Sequence, residues 1–270
     1  MSPHPSPAPV CKVRLRYAKR GKLRFTSHRD IARAFERALR RTGLPMAYSQ
    51  GFSPHPKISW VGAAPTGVAS EAEYVEIQLV DHVDAEIVRA ELDAALPEGL
   101  AVLEGVLAGP GGLTERIEAS KWCIEVCGLG GEQLRQAAQA LLAVPELLVE
   151  RVTKDGRRSL DARAAIVSLD VEDCPALAPA ADLLTPCGIL VAVVRQGSPA
   201  VRPDDVLSAL SVVAGLPLPV PAKAIRMAQG RLDGDGDLVD PLAADRAYAW
   251  AAAVGCDGGP DQHDVAGHAG

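Results

Sequence analysis

Apolar positions along the first hundred residues change period several times, and each change predicts an element. Residues 10–18 alternate, with Val13, Leu15 and Tyr17 set against Lys12, Arg14 and Arg16, the period-two signature of a half-buried strand. A Lys-Arg-Gly-Lys turn follows, then Leu23 and Phe25 in a short extended piece. Ser27 has the chemistry of a helix N-cap, with Asp30 supplying a shortened capping box three residues on. The helix is predicted over 28–42, ending at Gly43 with Pro45 beyond. At 100° per residue, Ile31, Ala34, Phe35, Ala38 and Leu39 share one face, and Arg29, Arg33, Arg37 and Arg40 share the opposite one. Residues 44–56 are loop chemistry. Pro54 and Pro56 fix their own φ and push their predecessors to extended geometry, so His55 is presented on a stiff segment. Ile58 and Trp60 begin a short strand, residues 74–79 a second, residues 83–95 a helix through Ile87, Val88, Leu92 and Ala95, and residues 100–107 a strand. Strand, helix, strand, strand, helix, strand is the split βαβ, ferredoxin-like order, with two helices on one face of an antiparallel sheet.

The same order then repeats more loosely. Residues 108–114 (AGPGGLT) have linker composition. Strands are predicted at 122–129, 147–152, 164–171, 188–194 and 222–227, and helices at 131–143 and 202–213, with an additional strand and a proline-rich insertion at 175–186. The predicted fold is therefore α+β: two ferredoxin-like units, at 10–107 and 118–232, each an antiparallel sheet with its helices on one face. A disordered arm (1–9) precedes them, a linker (108–117) joins them, and a turn with a disordered acidic and Gly-rich tail (233–270) follows.

Composition narrows the class. Aromatics make up 4% of the 270 residues, so the core must be built from Ala, Val and Leu. No apolar run reaches the roughly 18–20 residues that a membrane-crossing helix needs, and the N-terminus lacks a basic stretch followed by an apolar one. The six cysteines are scattered rather than framed as in a small secreted domain, which predicts reduced thiols, a cytoplasmic protein and no membrane association. Charge is strongly segregated: residues 11–60 hold thirteen Lys and Arg against Asp30 and Glu36, a window of +11 in a chain of −6, which leaves −17 elsewhere.

Several apparent motifs dissolve. Cys123 and Cys127 on one strand lie roughly 13 Å apart, too far for one metal. Asp233-Gly-Asp235-Gly-Asp237 starts like a calcium loop but has Leu238 where glycine is needed and Ala244 where glutamate is needed, so it reads as a turn. There is no P-loop, GxGxxG or GxSxG. No metal and no cofactor are expected.

The basic window has two readings as a binding surface. One is RNA: Arg14, Arg16, Arg24, Arg29, Arg33, Arg37, Arg40 and Lys57 contacting phosphates, with Tyr48, Phe52 and Trp60 in the neighbouring loop as base-stacking platforms, while Phe25 and Phe35 belong to the core. The other is docking, as a scaffold, onto an acidic protein partner, or onto this chain's own acidic remainder; charge alone does not separate them. A third reading is enzymatic. His28, at the positive end of its helix, is disfavoured as imidazolium and can serve as a base or as a cap. With Asp30 and His55 it would make a hydrolase or a nucleic-acid-modifying enzyme.

The stretch LRFTSHRDIARAFERALRRTGLPMAYSQGFSPHPKISW, continuing into PTGVASEAEYVEIQL, resembles a radical-SAM-associated bacterial family of unknown function. Its domain is found alone or at the C-terminal end of B12-binding radical SAM proteins. The matching segments are 23–30, 34–41, 48–60 and 65–79, and the resemblance is diffuse beyond about residue 103. Such domains tend to be encoded beside ribonuclease E/G and ribosomal-protein genes, which implies a role near RNA processing or modification and a radical SAM protein as partner. The cluster and cobalamin motifs of the fused form are absent here. The resemblance therefore implies an accessory role, RNA-binding or substrate-presenting, and no radical SAM chemistry by this chain.

Overall fold

The computed structural model describes residues 7–127, 129–153, 156–172, 187–215, 218 and 223–255; the expected proline-rich insertion, the tail beyond 255 and most of the N-terminal arm lie outside them. In chain order the elements are β1 (Cys11–Lys19), α1 (His28–Thr42), β2 (Ile58–Val61), β3 (Ala69–Leu79), α2 (Ala85–Ala95), β4 (Leu100–Leu107), β5 (Ala119–Cys127), α3 (Gly131–Ala143), β6 (Leu148–Thr153), β7 (Gly156–Asp161), α4 (Ala162–Ala165), β8 (Ile166–Val171), β9 (Cys187–Arg195), α5 (Pro203–Ala214), β10 (Lys223–Leu232), β11 (Leu238–Val239) and α6 (Ala243–Gly255). This is a mixed α+β fold whose sheet is mostly antiparallel, with six α-helices among the described residues. None of these helices is long and apolar enough to cross a membrane.

Local chemistry places α1 where the sequence predicts it. The Ser27 hydroxyl accepts the Asp30 N–H at 3.3 Å, and Gly43 closes the helix in the left-handed region at φ 68°. Its apolar face packs Ile31, Phe35 and Leu39 on Val13, Leu15 and Tyr17 of β1 and on Val75 and Ile77 of β3, with Val88 and Leu92 of α2 completing the cluster. Each large side chain fully buried here contributes about 1.5–3 kcal/mol relative to exposure. Leu23 and Phe25, predicted as an extended piece after the turn, lie instead in a 3-10 turn over Gly21–Phe25, which leaves Phe25 exposed rather than in the core. Gly21 starts that turn at φ 55°, and the Leu23 N–H donates to the Arg20 carbonyl at 3.1 Å and the Thr26 N–H to the Leu23 carbonyl at 3.0 Å.

The two halves repeat one pairing order. In the first, β4-β1-β3 run side by side with β2 on β3; in the second, β10-β5-β9-β8 do the same, while β6 and β7 form a separate hairpin. The halves do not keep separate sheets, as the sequence predicts. β3 and β10 pair in parallel, Ile225 with Ala69 and Arg226 with Ser70, which fuses everything into one nine-stranded sheet. Residues paired across a sheet point to the same side. Ser70 pairs with Lys19 and Arg226 with Trp122, so α1 and α2 lie on the same face as α3 and α5, whose core holds Ile124, Leu134, Leu141, Leu190, Val206 and Leu210. The opposite face carries α6 over the first half, with Leu242 against Val61, Ala72 and Tyr74. That helix occupies part of the predicted tail. Its Ala-rich run, AADRAYAWAAAVG, has too weak an apolar period to announce a helix. Before it, the Asp233 carboxylate accepts the N–H groups of Asp235 and Asp237, making the β10–β11 turn. Cys123 is disulfide-bonded rather than the predicted free thiol.

Candidate nucleic-acid interface and a central cleft

The basic residues of β1 do not form an outer surface. Arg14 lies opposite Glu76 on β3, and Arg16 opposite Glu104 on β4. Arg14 is 2% exposed; its Nε donates to Glu76 at 2.9 Å and its Nη1 to Asp245 of α6 at 2.7 Å. Asp245 in turn takes a hydrogen bond from Arg116 Nη1 at 2.8 Å. Arg16 is half-buried with Glu104 at 3.5 Å. The physical reason is position: β1 is an interior strand with α1 and α2 on one side and α6 on the other. Period-two alternation identifies the two faces of a strand; it does not tell whether the polar face is covered. Arg14 is therefore withdrawn from the predicted interface, and so is Arg16, which shares Glu104 with Arg246 of α6 on the face of the sheet away from α1.

The arginines of α1 behave differently. Arg29, Arg33, Arg37 and Arg40 are all exposed on the face away from the sheet. Arg33 approaches Asp30 at 3.5 Å and Arg40 approaches Glu36 at 4.0 Å, solvated pairs of a kind worth about 0–1 kcal/mol. Arg29 and Arg37 have no carboxylate within 4 Å among the described residues. Arg24 lies 4.7 Å over the Phe25 ring, and its buried Nε has no hydrogen-bond partner.

A hairpin loop projects beyond the C-terminal end of this helix. Tyr48 bridges to Pro56, the Ser49 N–H donates to the His55 carbonyl at 2.8 Å, and the Lys57 N–H donates to the Ala47 carbonyl at 2.8 Å. Tyr48 packs half-buried against the first core and Lys57 is half-buried, whereas His55 is exposed and Phe52 is 98% exposed. His28 sits at the other end of α1, its ring edge-on to Trp60 with centroids 5.2 Å apart. Trp60 itself packs edge-on to Phe35 and Tyr17. Five residues of extended chain, about 16 Å, separate Trp60 from His55. Asp30 is occupied by the Ser27 hydroxyl at 2.7 Å and by Arg33. His28, Asp30 and His55 are thus not brought together.

The sequence reading missed a polar cluster at the junction of the halves. Arg226, Glu73, Gln229, Ser70 and Lys19 are all buried there on the helix side of the sheet. Arg226 pairs with Glu73, donates to Gln229 Oε1 at 3.0 Å and to Ser70 Oγ at 3.4 Å, and lies 5.3 Å over the Trp122 ring. Lys19 Nζ donates to the Pro65 carbonyl at 3.2 Å, and Glu73 accepts the Ala64 N–H at 2.9 Å. Burial lowers the Lys19 pKa and raises that of Tyr17, where the neighbouring Glu73 charge adds to the effect. Above the cluster is a cavity of about 280 Å³. Trp122, Ser120 and Arg226 form its floor, residues 62–65 one wall, and residues 195–197 and 200–202 the other. Gly62 is required at φ 56°, because a Cβ there would stand 2.8 Å from Gln229 Oε1. A second hollow of about 260 Å³ shares Pro65 and Arg202 and adds Arg24, Phe25, Asp204 and Lys223. One local signal for this cluster was a charge flanked by apolar residues, Arg226 between Ile225 and Met227 in KAIRMAQ.

Comparison with known proteins adds a family. A model described as "Uncharacterized protein conserved in bacteria (DUF2344)" matches residues 12–203. No curated protein matches the chain. Among solved structures, a DypB variant in complex with manganese aligns at 10% identity over 78% of this chain and 96% of that one, with a TM-score of 0.20. At that score the likeness carries no argument about fold or function.

Proposed function

This chain belongs to the DUF2344 family of uncharacterized bacterial proteins, and we propose that it binds RNA through the arginine ridge of α1 and the hairpin at 48–57. The observation that carries this reading is the single-sign ridge itself. Arg29, Arg33, Arg37 and Arg40 project from one exposed helix face, and Arg29 and Arg37 have no acidic neighbour within ion-pair distance among the described residues. An ordinary solvated helix face mixes both signs. Phe52, fully exposed at the tip of the adjoining hairpin, supplies a surface on which an unpaired base can stack. The separation of His28 from His55 favours contact with RNA over acid–base work by that pair.

The protein acts in this reading as an accessory that presents an RNA substrate, beside a radical SAM modifying enzyme. That partner is supported by the sequence resemblance alone. Each half is read as a ferredoxin-like unit, supported by the shared pairing order β4-β1-β3-β2 and β10-β5-β9-β8 with two crossing helices apiece.

Filter binding to bulk tRNA and rRNA tests the proposal. Affinity should fall steeply with salt, and replacing Arg29, Arg33, Arg37 and Arg40 together by Ala should reduce the slope by about 3, near 0.7 per phosphate contact on single strands. No affinity at low salt overturns it. So does a nuclease-insensitive pull-down of one acidic protein through this ridge, which would mark a docking scaffold.

A further inference from the structure

We infer that Phe25 and the hollow beside it form a second stacking site for the RNA of the α1 ridge, taking one unpaired base at the N-terminal end of that helix, so that the substrate class is single-stranded RNA. The inference rests on the RNA reading above and adds a site at the opposite end of α1 from Phe52.

Three observations converge on it. First, the ring is in the right place and open. Phe25 precedes the Ser27 N-cap by two residues and Arg29 by four, so the chain holds its Cα within about 14 Å of the first arginine of the ridge. It is 60% exposed. The Arg24 guanidinium lies over one face of the ring at 4.7 Å, and exposure on this scale leaves the other face in water. A base on that face extends the pile of cation and ring; bases splayed from a single strand stack on aromatic rings and on Arg planes alike. The bases of a duplex are stacked on one another and are closed to such a contact.

Second, charge continues the ridge outside the hollow and is mixed inside it. Residues 20–25 hold Arg20, Lys22 and Arg24 and no acid. Glu71 matches Arg20, whereas Lys22 is exposed and neither it nor Arg24 has a carboxylate within 4 Å among the described residues. The hollow, about 260 Å³, lies between this turn, residues 65–68 and the start of α5. Phe25, Pro65, Val68 and Ala224 give it apolar walls, and its charged residues are of both signs, Arg202 and Lys223 with Asp204. Lys223 is already matched by Glu125. Mixed signs over apolar walls suit a neutral base, while the phosphates of the same strand fall to Lys22 and Arg29.

Third, the platform is built in advance. The Arg20 N–H donates to the Gly99 carbonyl and the Gly67 N–H to the Arg24 carbonyl, each at 2.7 Å, which ties the turn to β4's approach and to the facing loop. Lys19 Nζ holds that loop from beneath through the Pro65 carbonyl at 3.2 Å. A platform already fixed loses little entropy when the base arrives. Lys19 acts on the ligand only through this wall and is a positioning residue.

Competition binding with three RNAs tests the site: a single strand of about 12 nucleotides, within the range of single-strand site sizes, the same strand in a duplex, and the same strand with its bases removed. The wild-type chain should prefer the single strand to the duplex. Phe25→Ala and Phe25→Leu should each weaken the single strand by about 5- to 150-fold, the range for loss of one stacked base. The salt slope should not change, because no charge is lost, and the abasic strand should bind both variants as it binds the wild type. Phe25→Tyr, which keeps a flat ring, should restore the affinity. Phe25→Leu keeps an apolar side chain at an exposed position, and an unchanged melting temperature is its folding control. If the strand binds through the ridge but both variants bind it like the wild type, this inference is overturned and the RNA reading stands. Equal weakening of the abasic strand, or a duplex bound as well as the single strand, overturns it in the same way. No binding of the single strand at low salt overturns both.

Discussion

Arg14 on β1 and Arg37 on α1 belong to the same run of basic sequence yet end in opposite surroundings. Arg14 is fully enclosed between Glu76 and Asp245, with α6 laid over it. Arg37 stands in solvent with no acid within 4 Å among the described residues. The sheet brings acidic residues to β1 from two flanking strands and from a helix 231 positions away in sequence. Among the described residues, no other element brings a carboxylate within 4 Å of Arg29 or Arg37 on the outer face of α1. A positive window in the sequence is therefore two things here: a set of internal ion pairs that hold α6 to the sheet, and a surface compensated only in part, by the solvated pairs of Arg33 with Asp30 and Arg40 with Glu36.

Breaking the enclosed half should have the largest effect. Arg14→Ala leaves the buried Glu76 and Asp245 carboxylates with only Lys12 at 3.3 Å and Arg116 at 2.8 Å, and loss of one member of such a buried network destabilises by up to about 3–5 kcal/mol. Urea unfolding should show the fall in stability, while RNA affinity of the still-folded protein should stay as it is. A stable Arg14→Ala protein with weakened RNA binding would reverse the comparison and return Arg14 to the interface.

What could be read in advance follows the same division. α1 was legible to the residue because its signals are local: Ser27 and Asp30 at one end, Gly43 at the other, and a 3.6-residue period between them. The β and α order of the first half was legible for the same reason, and that of the second apart from β7 and the short α4, which the sequence reading left out. What joins distant segments was not. The fusion of the sheet rests on two residue pairs between β3 and β10, and neither strand carries a mark of it. Glu73 and Arg226, 153 positions apart, meet only after that fusion. The cleft they support was consequently invisible, although Arg226 between Ile225 and Met227 was a clue. α6 failed on composition, since alanine is compatible with any face of a helix and reveals none.

The exposed half can be sharpened at Phe52. With nearly its whole side chain in water, Phe52→Ala should change stability by no more than about 0.5 kcal/mol. If the hairpin stacks a base, the same change should weaken RNA binding by about 1–3 kcal/mol, and do so with little change in salt slope because no charge is lost. Competition binding against the wild type measures both. Unaltered affinity would restrict the interface to the arginine ridge.

Ser27→Ala makes the smallest and most selective perturbation. The Ser27 hydroxyl accepts the Asp30 N–H at 3.3 Å and donates to the Asp30 carboxylate at 2.7 Å, so the substitution removes an N-cap without touching any arginine. Loss of such a cap destabilises by about 1 kcal/mol, which thermal unfolding can register. The formal charge of the ridge is unchanged, and the salt slope for RNA should be unchanged with it. Asp30 is released in the variant, however, and is free to close on Arg33, now 3.5 Å away. If that pairing tightens, one phosphate contact is lost and the slope drops by about 0.7. Parallel measurement of Ser27→Ala and the Ser27→Ala/Asp30→Asn double variant separates the two terms. A slope restored by Asp30→Asn assigns the loss to Arg33, and a slope equal in both assigns any change in binding to fraying of the first turn of α1.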